Sequence, residues 1–200
     1  MKQRVVFAVP GALDQRTGGY LFDRRIVDGL VARGRDLRLV ELPGEYPKAC
    51  AHAREAARSL IDSLGAGDVL VIDGLASAAF EDCLPLTDPA CAAIFFIHHP
   101  LSLETGIAAA EARYFADLEA RLWRAADGVI GASPHTARAV IAAGASPEAV
   151  VVASPGVDLV EPVARVMRDA VSTQAVRLLC VATLTARKGH RDLIEALAPH

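Results

Sequence analysis

The sequence has no run of eighteen apolar residues, no C-x-x-C pair, no D-x-D, and no G-x-G-x-x-G between strand and helix. Each absence excludes something. Nothing spans a membrane as a helix, and the glycine fingerprint of dinucleotide binding is missing. Without D-x-D, one common way of holding a metal–nucleotide complex is gone. The four cysteines, Cys50, Cys83, Cys91 and Cys180, lack zinc or redox spacing and are expected to be free, mostly buried thiols in a reducing cytosol. Aromatic residues make up only 5%, so packing is mainly aliphatic, and a net charge of −3 argues against nucleic acid as a partner. Met1-Lys2-Gln3-Arg4 runs directly into a strand with no signal-peptide anatomy. These features predict a cytoplasmic protein.

What is present is apolar residue at 52% against 22% charged, enough for a full core. Val5–Val9 is a short apolar run, the pattern of a strand buried on both faces of a parallel sheet. After Pro10-Gly11 and a polar loop, a helix is predicted from Gly18-Gly19 to Arg33. Phe22, Ile26 and Leu30 form its apolar face, and Gly34 its C-cap. Strands follow at 37–40, 68–73, 92–98, 128–132 and 150–152. Helices are expected at 49–64, 76–83, from a Thr105 cap to Ala126, and from a Ser133 cap with Pro134 at N1 to Ala143. The alternation of Leu37 and Leu39 with Arg38 places the second strand toward a sheet edge. Strand and helix alternate throughout, which predicts a Rossmann-like α/β parallel sheet with helices on both faces over residues 1–155. Residues 156–175 break the rhythm as a linker or hinge. A strand at 176–181 and a helix at 189–198 then read as the first βα unit of a second domain cut short at His200.

Ligands in an open parallel sheet bind beyond the carboxyl ends of its strands. Gly18-Gly19, Asp73-Gly74, His98-His99-Pro100, Ser133 and Ser154-Pro155-Gly156 all fall there. Adjacent glycines before a helix admit a phosphate or sugar oxygen close to free backbone N–H groups, or simply make a turn. His98 at a strand end suits a sugar hydroxyl or a leaving group, or is a hydrogen-bonded structural histidine. Side chains alternate along a strand, so His98 and His99 face one cleft only if the strand has already ended. As metal ligands they lack a third partner at helical or short spacing, and no metal site is expected. Arg187-Lys188 before a helix suits a diphosphate, or is a solvated basic loop. Asp73 and Glu104 are candidate acids, though not at the spacing of a paired-carboxylate site.

Taken in order, these pieces resemble the N-terminal part of the GT-B glycosyltransferases of family 4. The resemblance covers almost the whole chain. It rests on Thr17-Gly18-Gly19 with a helix ending LVARG, on Asp68–Ile72, and on Ile97-His98-His99-Pro100. It continues through VIGASPHTARAVIAAG, VVVASPGVD and LLCVATLTARKGHRDLIEALA. The last two are similar to the family's "NGVD" crossover and its "GRL…KG…LIEALA" opening of the second domain. The resemblance implies two Rossmann-like domains facing a cleft and metal-independent sugar transfer with retention. A nucleotide-diphosphate sugar is then the substrate, with no cofactor, and the acceptor is a carbohydrate, a lipid or a small molecule. It implies that Gly18, Gly19, Lys188 and Arg187 meet the donor phosphates and that His98 contacts the donor sugar near the reacting carbon. Asp73, His99, Glu104 and Ser133 then belong to the acceptor cleft. Two departures stand out: Thr183 replaces the arginine of "GRL", and the family's E-x7-E region lies beyond His200. The 200 residues are therefore expected to be inactive alone. Leu178, Leu179 and Val181, lacking the rest of their domain, predict a dimer contact through residues 156–200. Leu101 and Leu103 suit peripheral contact with the inner membrane face, or a helix-entry staple.

Overall fold

The computed structural model describes residues 3–86, 91–158 and 178–198. It divides into two compact units, Met1–Pro155 and Gly156–His200. The first is built on six parallel strands, β1 (Arg4–Pro10), β2 (Asp36–Leu42), β3 (Val69–Asp73), β4 (Ala92–Ile97), β5 (Gly128–Gly131) and β6 (Val150–Val152). They lie in the order β2-β1-β3-β4-β5-β6, with Phe7 in register with both Leu39 and Val71, and Phe95 with Val129. The fold is α/β and Rossmann-like, as expected. Its decisive feature is the reversal of direction at β1. The chain goes from β1 outward to β2, then back across to β3, so the connections leaving β1 and β3 diverge and open a crevice at their carboxyl ends.

Four helices cover this sheet, α1 (Gly18–Ala32), α2 (Ala51–Asp62), α3 (Ala109–Ala125) and α4 (Pro134–Ala142). Alternation along the strands divides the core. Phe7, Val9 and Phe96 face α1, packing with Tyr20, Phe22, Ile26 and Val27. Val6, Ala8, Leu70, Ile72, Phe95 and Ile97 face the other way, against Ala53, Ala57 and Leu60 of α2, Phe115, Leu118 and Leu122 of α3, and Val140 of α4. β2 is an edge strand, with only Leu42 fully buried, as the Leu-Arg-Leu alternation predicts.

Several boundaries differ from the sequence-based expectation. Thr105 does not cap α3, which begins at Ala109 after Ala108. Gly106 adopts φ +85°, incompatible with a helix, and a 3₁₀ turn at Leu101–Leu103 takes up the preceding chain. Residues 74–80 form a 3₁₀ segment, buried except at Leu75, rather than an α-helix over 76–83. Asp68 is not part of β3; its carboxylate accepts from Gly65 N and pairs with Arg4, joining the starts of two strands. Among the cysteines only Cys83 is buried, Cys50 and Cys180 being exposed, so the expectation of mostly buried thiols fails. Among the described residues, no helix is long and apolar enough to cross a membrane.

The second unit contains a 3₁₀ turn at Ala186–Lys188 and α5 (His190–Leu197), separated by Gly189 at φ +64°. The strand expected at 176–181 does not form over 178–181, and 176–177 fall outside the described residues. A strand needs a neighbour to accept its backbone bonds, and Leu179 and Val181 remain 89% and 85% exposed. Most of the expected linker, 159–175, also lies outside the described residues.

β5 presses directly on α4, because a methyl group at Gly131 would lie 3.1 Å from the backbone nitrogen of Ala137. Gly131→Val is therefore expected to destabilise the protein by about 1–3 kcal/mol in thermal unfolding. Gly18, where a methyl group meets nothing within 4 Å, serves as the control: Gly18→Ala is expected to leave Tm nearly unchanged.

Candidate functional site

The crevice is shaped first by the loop leaving β1. Gly11, at φ +68°, donates to Leu42 O at 2.8 Å, and Leu13 N donates to Glu41 Oε1 at 2.7 Å. Arg24 of α1 donates to Leu13 O at 2.8 Å, and the Tyr20 hydroxyl donates to Pro10 O. These bonds carry the chain from β1 into the start of α1 at a set angle. Thr17, the N-cap, makes no side-chain capping bond, and the first turn contains no acidic residue. The opening N–H groups of α1 thus keep their positive end toward the crevice.

On the far side β4 ends at Ile97, so the alternation rule no longer applies to the two histidines, and both line one cavity. That cavity has a volume of about 150 Å³, and its walls include Thr17, Gly19, Asp73, Leu75, His98, His99 and Glu104. A methyl group at Gly19 would sit 3.6 Å from His98 Cδ2, so the glycine start of α1 lies flat against the imidazole. A larger neighbouring cavity of about 540 Å³ shares the Thr17, Tyr20 and Leu75 wall and extends past Gln15 to Glu45 and Tyr46.

The chemistry concentrates at His98. Its ring packs edge-on to Phe96 and Phe22, with centroids 4.6 and 5.5 Å away. Its Nε2 lies 2.9 Å from Asp23 Oδ1 and 3.6 Å from Asp73 Oδ2. Both carboxyls are buried, Asp23 completely. Asp73 Oδ1 also accepts from Leu75 N at 2.6 Å. Burial lowers the basicity of His98, but the hydrogen bonds and charges of Asp23 and Asp73 outweigh it and raise the imidazole to about 9. Burial raises Asp23 to about 7, against the opposing bond from His98, and the neighbouring Asp73 adds to the rise. For Asp73, burial acts upward, yet the bonds from His98, Asp23 and the Leu75 amide hold it below its ordinary value. No donor reaches Asp23 Oδ2, so the ionised group would be half unsatisfied. A proton shared with Asp73 relieves that cost.

Among the described residues these three are the group whose metal-type donor atoms gather, all within 4.8 Å of one another. The 2.9 Å contact is a hydrogen-bond separation, and imidazolium balances the buried carboxylate. The donor set is therefore read as a proton-holding cluster.

The other predicted site residues separate. His99 and Glu104 share the cavity with His98 and Asp73. The turn between them is held by buried Glu119, which accepts from Leu101 N at 2.6 Å and from the Ser102 hydroxyl at 2.6 Å. Ser133 is not in the cavity wall. Its hydroxyl accepts from Thr136 N at 3.0 Å, the cap that Ser-Pro predicts, and Thr136 in turn reaches His98 O at 3.5 Å. Arg187 and Lys188 belong to the second unit, on the 3₁₀ turn before α5. Sequence reasoning missed Asp23, Tyr20 and Glu119. Asp23 was detectable: it falls between Gly19-Tyr20 and Ile26-Val27, at the spacing of buried positions on α1, where a carboxylate has no ordinary reason to be.

A scan against protein-family models and a search of curated proteins return no match to this chain. The fold and the site define an α/β domain with a crevice at the β1/β3 switch point.

The cluster also sets a pH dependence. A histidine raised on folding contributes stability that is complete below its unfolded value of about 6.5 and is lost as pH rises through its folded value of about 9. Asp23, raised to about 7, acts in the same direction at lower pH. Tm is expected to fall between pH 6.5 and 9 and to fall less in His98→Gln. A wild-type Tm that holds level or rises across this window would contradict the charge assignment.

Proposed function

We propose that the chain is the acceptor-side part of a retaining, metal-independent glycosyltransferase of the GT-B type, similar to family 4, acting on a nucleotide-diphosphate sugar. The observation that carries this reading is the approach of the Gly19 start of α1 to His98 within one cavity at the switch point. A helix N-terminus suits donor phosphates, and an imidazole N–H beside it suits an oxygen of the sugar. The larger adjoining cavity, with Gln15, Thr17, Glu45 and Tyr46 in its wall, gives an acceptor hydroxyl room to approach.

In this reaction the bond from the anomeric carbon to the diphosphate oxygen breaks, and the acceptor oxygen bonds to that carbon. The acceptor's proton leaves with the diphosphate. His98 serves as hydrogen-bond donor to the sugar, Gly18 and Gly19 present backbone N–H groups, and Asp73 sets the histidine. Glu104 and His99 form the acceptor side. Arg187 and Lys188, on the 3₁₀ turn before α5, carry positive charge of the kind a diphosphate takes. Transfer in this reading also calls on a nucleotide-sugar-binding domain of the GT-B type. The site is a cytoplasmic one in this reading, served by soluble nucleotide-sugar.

UDP- and GDP-sugars titrated into the ¹⁵N-labelled chain are expected to shift the amides of Thr17, Gly19 and His98 and to leave those of α2 in place. In a protein extended by a complete second domain, His98→Ala is expected to lower sugar transfer by about 10²-fold or more. The reading fails if no nucleotide-sugar perturbs the cavity amides, or if the extended protein transfers sugar equally well without His98.

A further inference from the structure

Asp23 is a fully buried carboxyl on a helix face otherwise given to packing, and one of its oxygens has no donor. Its other oxygen and Asp73 Oδ2 converge on the same nitrogen, at 2.9 and 3.6 Å. A lone pair on Nε2 would face two acceptors, so Nε2 carries hydrogen. The bond to Leu75 N leaves Asp73 an acceptor, and a buried carboxylate needs a cation beside it. No other described cation contacts Asp73, and the ring is packed by Phe22 and Phe96. We propose that Asp23 is a positioning residue that, with Asp73, fixes His98 as an imidazolium and leaves its Nδ1–H as the donor offered to a ligand oxygen in the cavity.

The groups around the ring support this orientation. Asp23 faces it from α1 and Asp73 from the end of β3, while Tyr20 spends its hydroxyl on Pro10 O. His99 and Glu104 share the cavity, His99 next in sequence and Glu104 on the loop that follows. The Thr136 hydroxyl supports the His98 backbone from α4. With Nε2 committed inward and Gly19 against the Cδ2 edge, Nδ1 is the nitrogen left to serve a ligand. Such a histidine does not act as a base near neutral pH. It acts as a fixed positive donor, which strengthens as a ligand oxygen gains charge. The charge state stands by itself; its role at a sugar rests on the glycosyltransferase reading.

The test follows the ring nitrogens of His98 in long-range ¹H–¹⁵N spectra of the whole chain, without sugar or nucleotide. Both nitrogens are expected to be protonated at pH 7, with a midpoint near 9. Asp23→Asn, close in shape, is expected to bring the midpoint down toward the ordinary 6.5, and Asp73→Asn to do the same from the other side. If Asp23→Asn does not fold, the wild type and Asp73→Asn carry the comparison. A wild-type midpoint at or below 6.5, or one unmoved in a folded Asp23→Asn, overturns the proposal. So does Zn²⁺ that removes the Nε2 proton at stoichiometric concentration, because the cluster is then a metal centre. Loss of the glycosyltransferase reading leaves every one of these outcomes intact.

Discussion

The reversal of strand order at β1 is the constraint on which the rest depends, because it separates two loops that would otherwise cover the carboxyl end of the sheet. Into that gap project the start of α1, the end of β3 and the residues after β4. Each comes from a different part of the sequence, and the shared nitrogen of His98 joins them. The joint is polar and buried, so it is intolerant of partial occupancy. Removing either carboxyl strands a charge, and removing the imidazole strands two acidic groups.

Around this joint the protein uses acids that accept backbone N–H bonds as fasteners, Glu119 and Asp68 buried and Asp127 at the surface. Glu119 on α3 gathers the backbone of Leu101 and Ser102, which sets the chain just after the two histidines. Asp68 pairs with Arg4 and caps the Gly65 turn, aligning β3 with β1 at the opposite end of the sheet. Asp127 accepts from Ala93 N at 2.8 Å and aligns β4 with the approach to β5. Carboxylates that accept backbone N–H bonds specify register more sharply than aliphatic packing alone, which here is dominated by interchangeable Ala, Val and Leu. Rigidity at the strand ends is what allows a short cavity wall to hold donors in place.

Most of the architecture was legible in the sequence. Apolar runs such as Val5–Val9 and Ala92–Ile97 have one low-energy use in a chain that alternates with amphipathic helices, and Ser133-Pro134 marks a helix start by local chemistry alone. Failures occurred where a distant residue overruled a local signal. Thr105 has the side chain of a cap, but Gly106 at positive φ and the turn held by Glu119 move the helix start to Ala109. Leu178–Val181 has the composition of a strand, but no neighbour among the described residues completes its hydrogen bonds.

The site divides in the same way. The sequence by itself determined that glycines open α1, that an acid closes β3 and that histidines follow β4, since each depends on a strand end that local pattern reveals. Helical spacing marks Asp23 as a buried position on α1, but it could not determine that the carboxyl meets His98 and Asp73 there. Nor could it show that Ser133 spends its hydroxyl on Thr136 instead of facing the crevice. Those outcomes depend on the angle at which α1 and α4 cross the sheet. That angle is set by packing against Phe96 on one face and by the close approach at Gly131 on the other. Charge state follows from the same source, because desolvation and shared protons exist only once the three groups are brought to one nitrogen.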